Sequence, residues 1–249
     1  MRYFGMTNIG MKRQVNQDSF LIKEYENGLL AVVCDGMGGA SGGEEASSTA
    51  VAAFSGYTDI GFVPERFSES DDVGILVKDV FLSAARAANT AVYSASNDND
   101  SLRGMGTTLV SAYIADGKVY AVNIGDSRMY IVKDNEITQI THDHSYVQYL
   151  VDIGKITADE AKTSGNKNII TRAVGTEESV EADFFTVDTE MEGGYVVLCT
   201  DGLTNHIKED DIVRCVTESE TPEIACAELI DQANLGGGSD NITVIVVSM

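Results

Sequence analysis

Four carboxylates in this chain stand at the ends of apolar, strand-like runs. Asp35 closes AVVCD and is followed by Gly36, Asp126 follows YAVNIG, Asp201 closes YVVLCTD, and Asp240 with Asn241 opens ITVIVV. If one sheet edge gathers those ends, the acids converge in a setting too apolar to leave them unpaired, because uncompensated buried charge is costly. Cations resolve that conflict. The donors are oxygens, and the only histidines are His142, His144 and His206. Such a set selects hard ions, Mg²⁺ or Mn²⁺. Gly36, Gly38 and Gly39 leave the backbone after Asp35 bare enough for a carbonyl to ligate an ion or for a phosphate to approach. Arg13, five residues before Asp18, offers the forked cationic donor that a phosphate ester needs beside such ions. Each feature alone has a plainer reading: Asp-Gly is a common turn dipeptide, glycines suit a flexible loop, and a single arginine is ordinary surface charge. Asp116-Gly117 is read as a hairpin turn only.

The elements that must position these residues are readable in outline. SFLIKEYENGLLAVVCD holds two alternating apolar runs about Asn27-Gly28, which predicts an antiparallel hairpin of 18–26 with 29–35. Residues 43–54 predict a helix with Glu44 and Glu45 set against its positive N-terminal dipole. Leu76, Val80, Ala84, Ala88 and Val92 mark one stripe of a longer helix. The polar stretch between them is read as an irregular surface connection. From Thr107 the pattern becomes a strand meander, TTLVSAYIA, KVYAVNIG, SRMYIVK and EITQI, with a turn at Asp134-Asn135. Residues 142–164 return to helical composition, with Thr157 and Glu160 spaced as a capping box. An apolar strand YVVLCT, a helix from Lys208, a helix opened by Thr221-Pro222 and the strand ITVIVV complete the chain. Strands and helices come in blocks, which predicts antiparallel sheets packed on each other and covered by helical hairpins.

Composition narrows the function classes. A chain of 249 residues with 43% hydrophobic content and two prolines is expected to form one domain, 1–249, around a substantial core. The N-terminus has no apolar run resembling a signal peptide or membrane span, so a soluble, cytoplasmic protein is expected. Cys34, Cys199, Cys215 and Cys226 form no CxxC pair and are read as buried reduced thiols. The net charge of −22, from 39 acidic against 17 basic residues, repels nucleic acid and anionic membranes.

Several stretches together resemble the protein phosphatase 2C family, the metal-dependent PPM class, in its compact bacterial form. They are Arg13-Gln-Val-Asn-Gln-Asp18, Val-Cys-Asp35-Gly-Met-Gly-Gly39, Met105-Gly-Thr-Thr108, Gly125-Asp126-Ser-Arg128, Asp143-His144-Ser145, Ile170-Thr-Arg-Ala-Val-Gly175, Thr200-Asp201-Gly202 and Asp240-Asn241-Ile-Thr. Any one is weak; eight in the family's order over the whole chain are specific. The resemblance implies an α+β fold, a four-layer α-β-β-α sandwich with two central antiparallel sheets flanked by helix pairs. It also implies hydrolysis of phosphoserine and phosphothreonine monoesters by in-line attack of a water or hydroxide bridging two Mn²⁺ or Mg²⁺ ions, without a phosphoenzyme. By resemblance, Asp35 bridges the two ions, the Gly36 carbonyl touches one, and Asp201 and Asp240 complete the other. Asp126 then helps hold a third ion, Asp18 supports metal-bound water, and Arg13 binds the phosphate. The implied partners are phosphorylated proteins, a cognate serine/threonine kinase and its substrates, met by a monomeric enzyme.

The chain departs from the family pattern at two places. Met37 stands where many eukaryotic members have a histidine suited to protonating the leaving alkoxide, and Ser164-Gly165-Asn166 stands where some bacterial relatives carry a flap histidine. Other phosphatase chemistries fit worse. A cysteine-based tyrosine phosphatase needs arginine six residues after its cysteine, and those positions hold Ala40, Asn205, Thr221 and Gln232. Three scattered histidines do not supply the motifs of calcineurin-like enzymes. A non-catalytic phosphoprotein-binding module on the same fold is the remaining alternative, but a binder has no need of a complete cation cage.

Overall fold

The computed structural model describes residues 1–70, 72–115, 117–187 and 192–249, so Asp116 of the expected hairpin turn lies outside the described residues. In chain order the elements are β1 (Arg2–Asn8), β2 (Asp18–Tyr25), β3 (Gly28–Met37), α1 (Gly39–Gly61), α2 (Pro64–Glu69), α3 (Val73–Asp98), β4 (Gly106–Thr107), β5 (Leu109–Ala115), β6 (Lys118–Ile124), β7 (Arg128–Lys133), β8 (Glu136–Gln139), α4 (Tyr146–Asp152), α5 (Ala158–Thr163), β9 (Asp183–Val187), β10 (Tyr195–Cys199), α6 (Asp201–Thr204), α7 (Glu209–Glu218), α8 (Pro222–Leu235) and β11 (Ile242–Ser248). One sheet runs β1-β11-β10-β7-β8 and the other β2-β3-β5-β6-β9, with β4 on β3; the pairings are antiparallel.

Alternation along each strand builds the layers, since neighbouring side chains point to opposite faces. Leu29, Ala31 and Val33 of β3 face the other sheet and meet Met129, Leu198 and Ile245. Leu30, Val32 and Cys34 face outward under α1 and α3, against Phe54, Phe81 and the Leu76–Val80–Ala84–Ala88–Val92 stripe. On the far side α7 and α8 press Ile212, Cys226 and Leu229 onto Val197 and Val244. The result is the expected α-β-β-α sandwich, and the four cysteines are free and buried.

Several local expectations give way. The β2–β3 register pairs Tyr25 with Gly28, so the turn is Glu26-Asn27 and not Asn27-Gly28. Neither Asn27 nor Gly28 takes a positive φ. Glycine is needed at 28 for closeness instead, because a Cβ there would lie 2.6 Å from the Ile114 carbonyl oxygen. Helix α1 begins four residues earlier than expected and its first turn carries no acid, so Glu44 and Glu45 do not cap it. The stretch read as an irregular connection is the end of α1 plus α2, opened by Pro64 and burying Phe62 against Tyr113 at 4.3 Å between ring centroids. The expected meander is two hairpins in different sheets: β5–β6 in one, β7–β8 in the other. The chain crosses between sheets at 125–127, which places Asp126 on the crossover. Strands β1 and β9 were not foreseen, and Asp201 opens a short helix rather than only closing β10. The Asp134-Asn135 turn, both residues at positive φ, and the Thr157–Glu160 capping box are as expected.

Candidate active site

The β2–β3 hairpin sets Asp18 directly across from Asp35. The end of β3 is held by the Thr107-Thr108 segment: Thr108 Oγ1 accepts the Asp35 N–H at 2.9 Å, while Thr107 Oγ1 and the Thr108 N–H donate to the Asp35 carbonyl at 2.8 and 2.9 Å. The following Gly36 N–H donates to Gln17 O. Gly36 must be glycine, since a Cβ would lie 1.9 Å from the Gly43 carbonyl oxygen in the first turns of α1. The other sheet supplies Asp201 after β10 and Asp240 before β11. Thr200 and Thr243 from that sheet both donate to Asp18 Oδ2, at 3.0 and 2.7 Å, which ties the two sheets together through one carboxylate.

A cavity of about 490 Å³ opens at this end of the sandwich, lined by Asp35, Gly36, Asp126, Asp201, Asp240 and Arg13, with Met37, Gly38, Gly39, Asn168 and Ile170 around them. The structure thus brings together every predicted site residue except Asp18, which lies behind the cavity wall and is 8% exposed. Arg13 Nη2 donates to Asp240 Oδ2 at 2.8 Å, and Asn205 Nδ2 donates to Asp201 Oδ2 at 2.8 Å.

Crowding shifts these acids. Desolvation, then the charges of Asp18, Asp201, Asp126 and Asp240, holds the Asp35 carboxyl well above its ordinary range. Desolvation pushes Asp18 up to about 7 against the opposing hydrogen bonds of Thr243 and Thr200. Desolvation with Asp201 and Asp143 pushes Asp126 up to about 8, and desolvation with Asp240 raises Asp201. All four shifts have one sign: the folded chain resists ionising a site whose residue types are ionisable.

Among the described residues no three acidic, thiol or imidazole side chains are gathered into a closed ion site. The acids stand around the cavity, and some of their oxygens are occupied by Arg13 and Asn205. Two observations still fit divalent cations. Asp18 Oδ1 is a buried oxygen with no partner, and the cavity faces several carboxylates with one arginine, a donor set that hard ions match.

Sequence reasoning overlooked the residues that hold this arrangement. Asn241 Oδ1 accepts the Gln17 N–H at 2.8 Å while its Nδ2 donates to Ile9 O and Val15 O at 3.0 Å each, so it straps down the 9–17 segment that carries Arg13. Its signal was its place beside Asp240. Thr200 and Thr243, polar residues inside apolar strands, were signals of the same kind.

The family model described as Protein phosphatase 2C matches residues 10–229. The chain is 38% identical over 248 residues to protein phosphatase PhpP of Streptococcus pneumoniae, across 98% of this chain and 96% of that protein. It is similar to the structure of the S. agalactiae serine/threonine phosphatase, with a TM-score of 0.89 and 33% identity, across 99% of this chain and 98% of that one. It is similar also to the catalytic domain of serine/threonine protein phosphatase PstP in complex with two manganese ions, with a TM-score of 0.82 and 33% identity, across 99% and 97% of the two chains. The acid-lined cavity, the sandwich that builds it and a match spanning most of the sequence lead to one assignment: the chain belongs to the protein phosphatase 2C family.

Proposed function

We propose that this protein is a metal-dependent phosphatase acting on phosphoserine and phosphothreonine in proteins. The observation that carries the reading is the cavity itself, where acids from both sheets surround a space large enough for ions and a phosphoryl group beneath a single guanidinium. In this reading Asp35, the Gly36 carbonyl, Asp201 and Asp240 would hold two Mn²⁺ or Mg²⁺ ions, Asp126 would help hold a third, and Asp18 would support metal-bound water. The two manganese ions of the PstP catalytic domain support the two-ion part of that reading. When bound, the ions supply Lewis-acid activation of water and neutralise charge on the phosphoryl group.

The chain's own residues do the rest. Arg13 keeps donors beyond the one given to Asp240 and can present two of them to phosphate oxygens. Thr107 and Thr108 fix the strand end that aims Asp35. Among the described residues lining the cavity there is no histidine, and with Met37 after Asp35-Gly36 no side chain there is assigned as the acid that protonates the leaving alkoxide. Asn168 and Ile170 bring the 142–172 flap to the cavity rim, where it meets the protein substrate. The partners on this reading are phosphorylated proteins, including those of a cognate serine/threonine kinase, met by a cytoplasmic monomer; no helix of the described residues is long and apolar enough to cross a membrane.

Protein stripped with EDTA and assayed on a phosphothreonine peptide should be inactive and recover turnover as Mn²⁺ is added. Full turnover in excess EDTA, or peptide binding without turnover at any Mn²⁺ concentration, overturns the reading.

A further inference from the structure

The Asp143-His144-Ser145 stretch has no role in the chemistry above, yet it sits against the crossover that carries Asp126. The Gly125 N–H donates to His144 Nδ1 at 3.0 Å, and the His144 N–H donates to Gly125 O at 2.9 Å. One residue therefore holds the two peptide groups on either side of the Gly125 Cα, the second of which ends at the nitrogen of Asp126. Gly125 adopts φ +107, and a Cβ there would lie 2.6 Å from Thr108 Cγ2, so the backbone is held in a conformation that relaxes poorly with any other residue. Asn123 Nδ2 adds a donor to the same Gly125 carbonyl at 3.2 Å.

We propose that His144 is a positioning residue for Asp126, its bare Nδ1 accepting the Gly125 N–H and so fixing the turn that presents Asp126 to the cavity. The opposite edge of the ring explains why that nitrogen is bare. Nε2 lies 3.1 Å from Asp183 Oδ2, which can accept its proton; Arg172 Nη1, 3.0 Å from the same nitrogen, can only donate and gives its hydrogen to Asp183 Oδ1 at 2.8 Å, holding that carboxylate against the ring. A ring that accepts at Nδ1 carries its proton on Nε2 and donates it to the Asp183 carboxylate. His144 is 7% exposed, and burial disfavours its charged form, in keeping with a neutral ring. The far flank of Asp126 is secured by the preceding residue: Asp143 takes Arg128 Nε and Nη2 at 2.9 and 2.6 Å. Neighbouring residues thus grip both sides of the crossover. Ser145 then accepts the Gln148 N–H and caps α4, so the flap starts from the same anchor.

The inference rests on the phosphatase reading for what Asp126 does, and its test is independent of that reading. Long-range ¹H–¹⁵N spectra of the isotopically labelled intact chain near neutral pH should show His144 as the neutral tautomer with Nε2 protonated and Nδ1 bare. The Nδ1–H tautomer or an imidazolium overturns the proposal, whether or not the protein turns over substrate. The kinetic arm uses p-nitrophenyl phosphate, which is too small to need the flap. His144→Gln, whose amide reaches the Nε2 position, should lower kcat about 10- to 100-fold with little change in KM, while His144→Asn, whose Oδ1 replaces Nδ1 as acceptor, should lose less than about 10-fold. Equal impairment of the two variants, or full activity in both, overturns the proposal. An inactive wild type fails the phosphatase reading instead.

Discussion

The two helical layers cover their sheets by different means. Helix α8 starts on Thr221, whose hydroxyl accepts the Ile224 N–H, has Pro222 in its first turn, and buries Ala225, Cys226, Leu229, Ile230 and Ala233. Helix α1 starts on Gly38 at φ 139 with no side-chain cap and has glycine at 39, 42 and 43. Local propensity favours the first and penalises the second. The penalty is concentrated where β3 delivers Asp35 and Gly36 into the cavity, and there the backbone of α1 crosses so closely that a single Cβ on Gly36 collides with it. Where it meets Asp35 and Gly36, α1 gives up ordinary helix signals for close approach of two main chains.

That contrast can be broken by paired substitutions. Gly36→Ala sets a methyl 1.9 Å from Gly43 O and 2.5 Å from Gln17 O, both backbone atoms, so it should cost ~3 kcal/mol in a denaturant melt and abolish turnover in whatever fraction folds. Leu229→Ala under α8 should cost ~2–5 kcal/mol by leaving a cavity, with kcat per folded molecule unchanged. If both variants lose kcat alike, the layers are not functionally distinct. Arg13→Ala removes a charge-assisted donor from the cavity rim; it should lower kcat/KM by about 10- to 100-fold, and excess Mn²⁺ should not restore it. Recovery on added Mn²⁺ would move Arg13 from the phosphate to the ion site.

A smaller effect sharpens the same comparison through pH. Asp18 and Asp126 are raised from 3.8 to about 7 and about 8, so the folded state keeps protons that the unfolded chain has released. Their contribution to metal-free stability is therefore fully present below about pH 4 and is lost progressively as pH rises from there through 7 to 8. Melting temperatures in EDTA should decline across that window, and Mn²⁺ should suppress the decline. A metal-free protein whose melting temperature rises across the window contradicts the assigned shifts.

The outline of the fold was readable because its signals are local. The α3 stripe, the Thr157–Glu160 box, the Thr221-Pro222 start and the Asp134-Asn135 turn each depend on residues a few positions apart. The division of β5–β6 and β7–β8 between sheets was not readable, since all four strands alternate alike and the crossover depends on what Gly125 packs against. Likewise Asp35, Asp126, Asp201 and Asp240 stood out as charges at strand ends. Thr200 and Thr243 did not, because the carboxylate they serve is 182 and 225 positions away. Asn241 straps segments more than two hundred residues distant in sequence, and only the folded chain shows its three partners.

The central claim is that Asp35 and its neighbours are assembled for cations and at the expense of the metal-free fold. Thermal melts of wild type and Asp35→Asn at about pH 8, each in EDTA and in saturating Mn²⁺, test it directly. The neutral isostere removes the charge that desolvation and Asp18, Asp201, Asp126 and Asp240 oppose, so in EDTA the variant should melt at or above wild type, and in Mn²⁺ the order should reverse because the variant has lost an ion-binding oxygen. A variant that melts well below wild type in EDTA, with no Mn²⁺ stabilisation of wild type, would make Asp35 a structural turn residue and contradict the account.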